Sequence, residues 1–256
     1  MRLEGFRLNE DGTDWLPAMK RCLIESKLRR DEVIELPVGL LRFSGPVLMA
    51  TGTVLRGSGG CPANVGQATV LHADFSSAPF LVWDGDEPYR GGGGGIESCV
   101  LAAANGQTPG QAILLTGRSP ERRCGYWSAR RVMVYSGADA GNFTVGLRVD
   151  GSLIKVSGSA GVRDIWVSEC QFAGCSRRAV ELINAVHFQG EFQTAQASGG
   201  SGDVLVDGGS EDVRIDGRIY GDLSLAVCSE VVVRGVASRI VRSVSAKRVS
   251  VSAVLT

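Results

Sequence analysis

The sequence predicts an all-β fold: a right-handed single-stranded parallel β-helix, closed at its start by a short capping α-helix. Three observations lead there. A five-residue motif with β-branched or aromatic residues at its first and third positions recurs through the C-terminal part. The chain holds 35 glycines, and many short apolar runs are broken by Gly, Pro, Asn and Asp. Near the N-terminus, one amphipathic segment has helical spacing.

The motif begins at Ile165 (IWVSE), Val186 (VHFQG), Val213 (VRIDG), Val231 (VVVRG) and Val249 (VSVSA), at intervals of 21, 27, 18 and 18 residues. A fixed strand at an uneven period suits a solenoid, where each coil lays a strand on the same wall and the corners vary in length. Strand side chains alternate between faces. Ile165/Val167, Val186/Phe188, Val213/Ile215, Val231/Val233 and Val249/Val251 are therefore expected to stack inward. The small residue closing the motif (Gly190, Gly217, Gly235 or Ala253) fits a tight corner. The first motif ends in Glu169 and carries an extra residue before Phe172, which predicts a bulge. A doubly wound α/β fold would need a helix of about 10–15 residues between strands. An 18-residue interval containing Gly235 leaves no room for one. An antiparallel sandwich is the remaining rival.

Upstream, Ala68–Leu71, Phe80–Trp83, Val100–Ala103, Ile113–Leu115, Val132–Tyr135, Val145–Val149 and Leu153–Val156 are expected strands of further coils. The five glycines at 91–95 have no GK[ST] after them, so they predict a corner or extended loop and not a phosphate loop. Asp14 or Thr13 precedes a helical pattern in which Trp15, Met19, Cys22 and Leu23 share one face, with Lys20, Arg21 and Lys27 mostly on the other. Such a helix would cover the unpaired edge of the first coil. The expected organisation is an N-terminal segment and cap over residues 1–30 and a β-helix over 31–256, forming one continuous domain.

Asp11-Gly12-Thr13-Asp14-Trp15 is followed by Glu32-Val33-Ile34-Glu35-Leu36-Pro37-Val38-Gly39 and then by Gly52-Thr53-Val54-Leu55-Arg56-Gly57-Ser58-Gly59. This order resembles the start of the pectate-lyase-like superfamily, whose "DG-x-D-D" helix leads to "V-x-L-P-x-G" and "G-x-x-L-x-G-x-G" strands. Trp15 stands where the second Asp of the opening motif is expected. The resemblance covers residues 11–59 by motif and 68–256 by texture. It implies a β-helix of the phage tail-spike or appendage type, homotrimer formation, contacts with other virion proteins, and recognition of host-surface glycans. Other members of that superfamily are polysaccharide lyases or glycoside hydrolases.

Composition removes several classes. Lys+Arg and Asp+Glu both total 27, so no basic excess points to nucleic acid. No apolar run approaches the ~20 residues of a membrane span. The opening MRLEGFRLNEDG lacks the apolar core of a signal peptide. The seven cysteines are dispersed without a CxxC pair, which predicts buried reduced thiols in a protein folded in a cytoplasm. Only His72 and His187 could join them, so neither a metal site nor a cofactor is expected.

Outward positions of the motif coils should align as ladders. The expected ones are Trp166, His187, Arg214, Val232 and Ser250; then Ser168, Gln189, Asp216, Arg234 and Ser252; then Gln171, Glu191, Arg218, Val236 and Val254. Trp166, His187, Gln189 and Arg214 are the candidate carbohydrate-binding residues, because a sugar ring stacks on Trp and its hydroxyls take planar polar groups. Glu191 and Asp216 are the candidate catalytic pair, since glycoside hydrolysis needs two carboxylates ~5–9.5 Å apart. Asp203, Asp207, Asp212 and Asp216 form a loose acidic set around Gly208 and Gly209, and turn-forming Asp beside Gly explains most of it. Val232, Val236 and Val254, outward by the same counting, are the candidate oligomer contact. The leading expectation is a virion tail-spike or appendage structural protein of a phage or prophage, made in the host cytoplasm, with host-surface polysaccharide as its ligand. The alternative is a glycoside hydrolase or polysaccharide lyase on the same scaffold. A third class is a bacterial-surface β-helix without a glycan role.

Overall fold

The computed structural model describes residues 1–29, 33–50, 52–59, 67–84, 93–119, 122–135, 141–154, 161–195 and 201–255. The architecture is the right-handed parallel β-helix that the repeated motif predicts. Its strands pair in parallel, apart from Arg122–Arg123, which returns antiparallel onto Gln111–Ser119.

Register sorts the strands into three walls. The first runs from Val33–Glu35 through Val54–Arg56, Gly95–Glu97 and Gly125–Arg130. It continues into the opening halves of Val162–Ala173, Ala185–Ala195, Ser210–Leu225, Cys228–Arg242 and Lys247–Leu255. The second joins Gly39–Phe43, Thr69–Ala73, Val100–Ala103 and Met133–Tyr135 to the later halves of the same long strands. The third runs from Val47–Met49 through Leu81–Asp84, Gln111–Ser119, Val145–Asp150, Arg178–Ile183 and Val204–Asp207.

Like residues stack on like because each coil repeats the one before it. One inner ladder of the first wall reads Ile34, Leu55, Ile96, Ala129, Val167, Gly190, Ile215, Val233 and Val251. Ile215 and Val233 are 1% and 2% exposed, whereas Val251 is 39% exposed, with no coil beyond it among the described residues. No coil can bury its own inner face, so each ladder residue draws its ~1.5–3 kcal/mol of burial from its neighbours.

Two expectations about this core need correction. The motif starting at Val186 is not in register with the one at Ile165. Ile165 pairs with Phe188 and Val167 with Gly190, so the inner ladder is Trp127, Ile165, Phe188, Val213, Val231 and Val249. The physical reason is Gly190. A Cβ there would stand 2.6 Å from ring atoms of both Phe188 and Phe192, so the two rings fill a slot that Val167 and Ile215 fill elsewhere. Apolar alternation therefore shifts by two residues in this coil, and Gly190 does not stack with Gly217. Leu153–Val156 is the second correction. Leu153 is exposed in a turn, Ile154 is buried outside any strand, and residues 155 and 156 lie outside the described ones.

The predicted bulge is present: the pairing shifts between Val167 and Cys170. A column of non-glycine residues with φ of 49–58° marks the start of the first wall, at Tyr126, Asp164, His187, Asp212, Glu230 and Arg248. Each directly precedes an inner-ladder residue, and the left-handed conformation turns the chain into the wall at a cost of roughly 1–2 kcal/mol per residue.

The N-terminal cap forms as its pattern requires. The helix Leu16–Arg29 buries Trp15, Ala18, Met19, Cys22 and Leu23 against the first coil. Asp14 anchors it: Oδ1 accepts from the Leu16 N–H at 2.9 Å and Oδ2 accepts from Ser44 Oγ at 2.6 Å. Arg7 lies over the Trp15 ring at 4.3 Å.

Cys22, Cys99, Cys124, Cys170, Cys175 and Cys228 are free and buried, while Cys61 lies outside the described residues. Burial pushes the Cys99, Cys124 and Cys175 thiols up to about 12. In a Cys61→Ser variant, a thiol-specific disulfide reagent should therefore react only on unfolding. These thiols bind their protons more tightly folded than unfolded. Their stabilisation is complete below the ordinary thiol pKa of about 8.5 and is lost as pH rises toward 12. The urea midpoint should fall across that window and recover when the pH is lowered.

Candidate functional site

The bend between the first and second walls positions the site. In the upper coils a left-handed residue makes this bend, at Ser98, Arg131 and Glu169. In the lower coils it is made by Gly217 and Gly235, at φ of 146° and 118°. A Cβ on Gly217 would strike the Phe192 carbonyl oxygen, and one on Gly235 would strike that of Gly217. The glycines are therefore required, and they leave a floor without side chains.

Over this floor lies an open groove in two adjoining parts. One, of about 640 Å³, is lined by Trp166, Ser168, Gln189, Glu191, Asp216 and Arg234, among others. The other, of about 450 Å³, is lined by Glu169, Gln171, Gln193, Arg218 and Val236, among others. Glu191 and Gly217 border both parts.

The true register rearranges the expected ladders. Trp166 pairs with Gln189, Gln189 with Arg214, Arg214 with Val232 and Val232 with Ser250. His187 drops out of this row and takes the left-handed corner position before Phe188. There its Nδ1 lies 3.1 Å from both Arg163 Nη2 and Asp164 Oδ1, so it accepts from the guanidinium or, protonated, donates to the carboxylate. Glu191 moves into the second row and pairs directly with Asp216, which pairs with Arg234. Gln193 takes its place in the third row, pairing with Gln171 and Arg218.

Chain pairing at ~4.8 Å per coil brings Glu191 and Asp216 together. The upper part of the same row behaves differently. Glu35, Arg56, Glu97 and Arg130 follow one another in register. There Arg56 closes on Glu97 at 2.8 Å and on Glu35 at 3.3 Å. Among the described residues no ion pair includes Glu191, Asp216, Arg218 or Arg234. Of the charges that line the groove, Glu169 reaches Arg130 at 3.5 Å, and these four are left open where the rest of the row is neutralised.

An aromatic platform flanks the groove. Tyr126 and Trp166 are 49% and 41% exposed, with ring centroids 6.1 Å apart at an interplanar angle of 28°. Trp15, Trp83 and Trp127 are buried. Reading the sequence missed Tyr126, Gln193, Arg218 and Arg234 as site residues. Tyr126 had one available signal, its place directly before the inner residue Trp127, like Asp212 before Val213.

Two of the acidic set serve the backbone, while Asp212 lies beside Arg214 and Asp216 lines the groove. Asp203 Oδ1 accepts from the Asp222 N–H at 2.8 Å, and Asp207 Oδ1 accepts from Gly208 and Val227 N–H groups at 2.7 and 3.1 Å. No group of three or more metal-binding side chains occurs among the described residues. Val232 and Val236 are half-buried beside Arg214 and Arg218, and the Val254 side chain lies outside the described ones. Among the described residues no helix is long and apolar enough to cross a membrane.

The fold and groove define a right-handed parallel β-helix with a polar, aromatic-flanked cleft along one bend. No family model matches the chain, and no curated protein matches it. Three solved structures overlap it, each at 12% identity. The A-module of mannuronan C-5 epimerase AlgE6 from Azotobacter vinelandii covers 100% of this chain and 99% of its own, with a TM-score of 0.27. The AlgE4 A-module from the same organism covers 100% and 97%, with a TM-score of 0.29. ORF18 of Geobacillus virus E2 covers 99% of this chain and 61% of its own, with a TM-score of 0.35. Overlaps this loose have no bearing on function.

Because Trp166 is the one exposed tryptophan of four, acrylamide should quench a single fluorescence component in the native protein. Trp166→Phe should remove that component without lowering the melting temperature.

Proposed function

We propose that this protein is a structural β-helix of the virion appendage type that holds host-surface polysaccharide in the groove beside Trp166. The exposed Tyr126–Trp166 pair bordering a cleft of unpaired polar groups carries this reading. Ring faces offer a stacking surface for sugars, and Gln189, Ser168 and the open carboxylates and guanidiniums offer partners for hydroxyls. The N-terminal resemblance over residues 11–59 supports the virion setting. Self-association belongs to the same reading. It would use the region 230–256, where Val241, Val244 and Val251 are exposed.

A second reading, a polysaccharide-cleaving enzyme, is favoured by one observation. Glu191 and Asp216 are register partners on adjacent coils without an ion pair, which suits the ~5–5.5 Å carboxylate separation of a retaining glycosidase.

Two measurements separate these readings. On a panel of capsular polysaccharides and lipopolysaccharides, Trp166→Ala should weaken binding about tenfold, the effect of losing one stacking contact. An unchanged affinity would remove the platform from the account. If the groove cleaves, new reducing ends should appear, and Glu191→Gln and Asp216→Asn should each abolish them while leaving binding in place. Binding without cleavage in the unaltered protein leaves the structural reading.

A further inference from the structure

Outward side chains of four coils form a small array around the groove. Trp166, Ser168 and Gln171 belong to its first coil, and Gln189, Glu191 and Gln193 to the second. Arg214, Asp216 and Arg218 belong to the third, and Val232, Arg234 and Val236 to the fourth.

The array is electrically divided along the solenoid axis. Its upper half holds the open carboxylate of Glu191 and that of Glu169, which Arg130 reaches at 3.5 Å, between the amides of Gln171, Gln189 and Gln193. Its lower half holds three guanidiniums, Arg214, Arg218 and Arg234, around the carboxylate of Asp216. Carboxylates only accept hydrogen bonds and guanidiniums only donate them. Arg214 lies 3.5 Å from Asp212, but Arg218 and Arg234 have no carboxylate partner among the described residues. Other arginines close on the acids beside them, as Arg148 does on Asp150 and Glu181, and Arg239 on Asp222. One lone exposed arginine is ordinary. Here Arg234 lines the same part of the groove as Trp166, and Arg218 lines the adjoining part.

We infer, resting on the glycan reading above, that this groove selects a polysaccharide in which a carboxylate-bearing sugar alternates with neutral ones. Arg218 and Arg234 are the specificity residues. The carboxylate of the acidic sugar meets their open guanidiniums, which match a carboxylate in charge and planar geometry. The neutral neighbour lies over the upper half, where Glu191 and the glutamines take its hydroxyls. A polymer with an acid on every ring sets a second carboxylate against the open carboxylate of Glu191. A wholly neutral polymer gives the guanidiniums only hydroxyl acceptors, which are the weaker partners.

Three polymers test this on the full chain by isothermal titration calorimetry. Hyaluronan carries one carboxylate per two rings, polygalacturonate one per ring, and dextran none. Hyaluronan should bind about tenfold more tightly than either of the others, the scale of a charge-assisted hydrogen bond over a neutral one. High salt should erase that preference. Arg218→Gln/Arg234→Gln, at two exposed positions, should cost hyaluronan most of its tenfold advantage, weaken dextran much less, and leave the melting temperature unchanged. The inference is overturned, with the glycan reading intact, in either of two cases. One is that all three polymers bind equally tightly, or polygalacturonate above the rest, in a manner lost in Trp166→Ala. The other is that the double substitution weakens dextran as much as hyaluronan. Absence of any Trp166-dependent binding overturns both.

Discussion

Coil-on-coil pairing in register is the constraint on which everything else in this molecule depends. A single coil encloses a strip of apolar side chains too thin to bury itself, so a residue such as Val233 is dry only because Ile215 and Val251 lie on either side. The same pairing fixes the outside. Any outward residue has as neighbours the residues one coil above and below, at ~4.8 Å. The solenoid thus converts separations of 18 residues or more in sequence into direct contact, as with Phe188 over Val213 and Val213 over Val231.

The outer surface shows two uses of that adjacency. Along the upper coils opposite charges are stacked and closed, Glu35 to Arg56 to Glu97, and the wall is neutral and ordinary. Exposed pairs of this kind add little stability, about 0–1 kcal/mol each. In the lower coils the same row sets Glu191 beside Asp216, with like charges adjacent and, among the described residues, no ion pair to either. The bend beside them is built of Gly217 and Gly235, whose missing side chains open the floor. A feature of backbone packing and a feature of charge order thus coincide, next to two exposed aromatic rings.

Much of the fold was legible because the physics of a β-helix writes itself into short-range pattern. Val213, Val231 and Val249 lie at equal 18-residue spacing, and their coils pair as the motif implies. The helix Leu16–Arg29 was equally legible, since Trp15, Met19, Cys22 and Leu23 recur at helical spacing. The coil containing Phe188 was not. Its apolar volume comes from two phenylalanines folding over Gly190, and a motif that expects a β-branched residue in that slot aligns two residues too early. That single slip carried His187 into the groove and moved Glu191 to the wrong row, while hiding Gln193. The candidate residues Trp166, Gln189, Glu191 and Asp216 line the groove and Arg214 is the register partner of Gln189, but their neighbours follow from the corrected register.

The register of the lower coils therefore decides the account, and a disulfide scan measures it directly. Register partners have Cα atoms ~4.8 Å apart, inside the 4.4–6.8 Å range of a disulfide, while a diagonal neighbour two residues along lies beyond it. Glu191→Cys/Asp216→Cys should oxidise to an intramolecular bridge in the folded protein, seen as a loss of 2 Da and a mobility shift reversed by reductant. Glu191→Cys/Arg218→Cys, the pairing implied by the motif alone, should stay reduced under the same conditions. A bridge in the second variant and none in the first would contradict the register, and with it the groove built on that register.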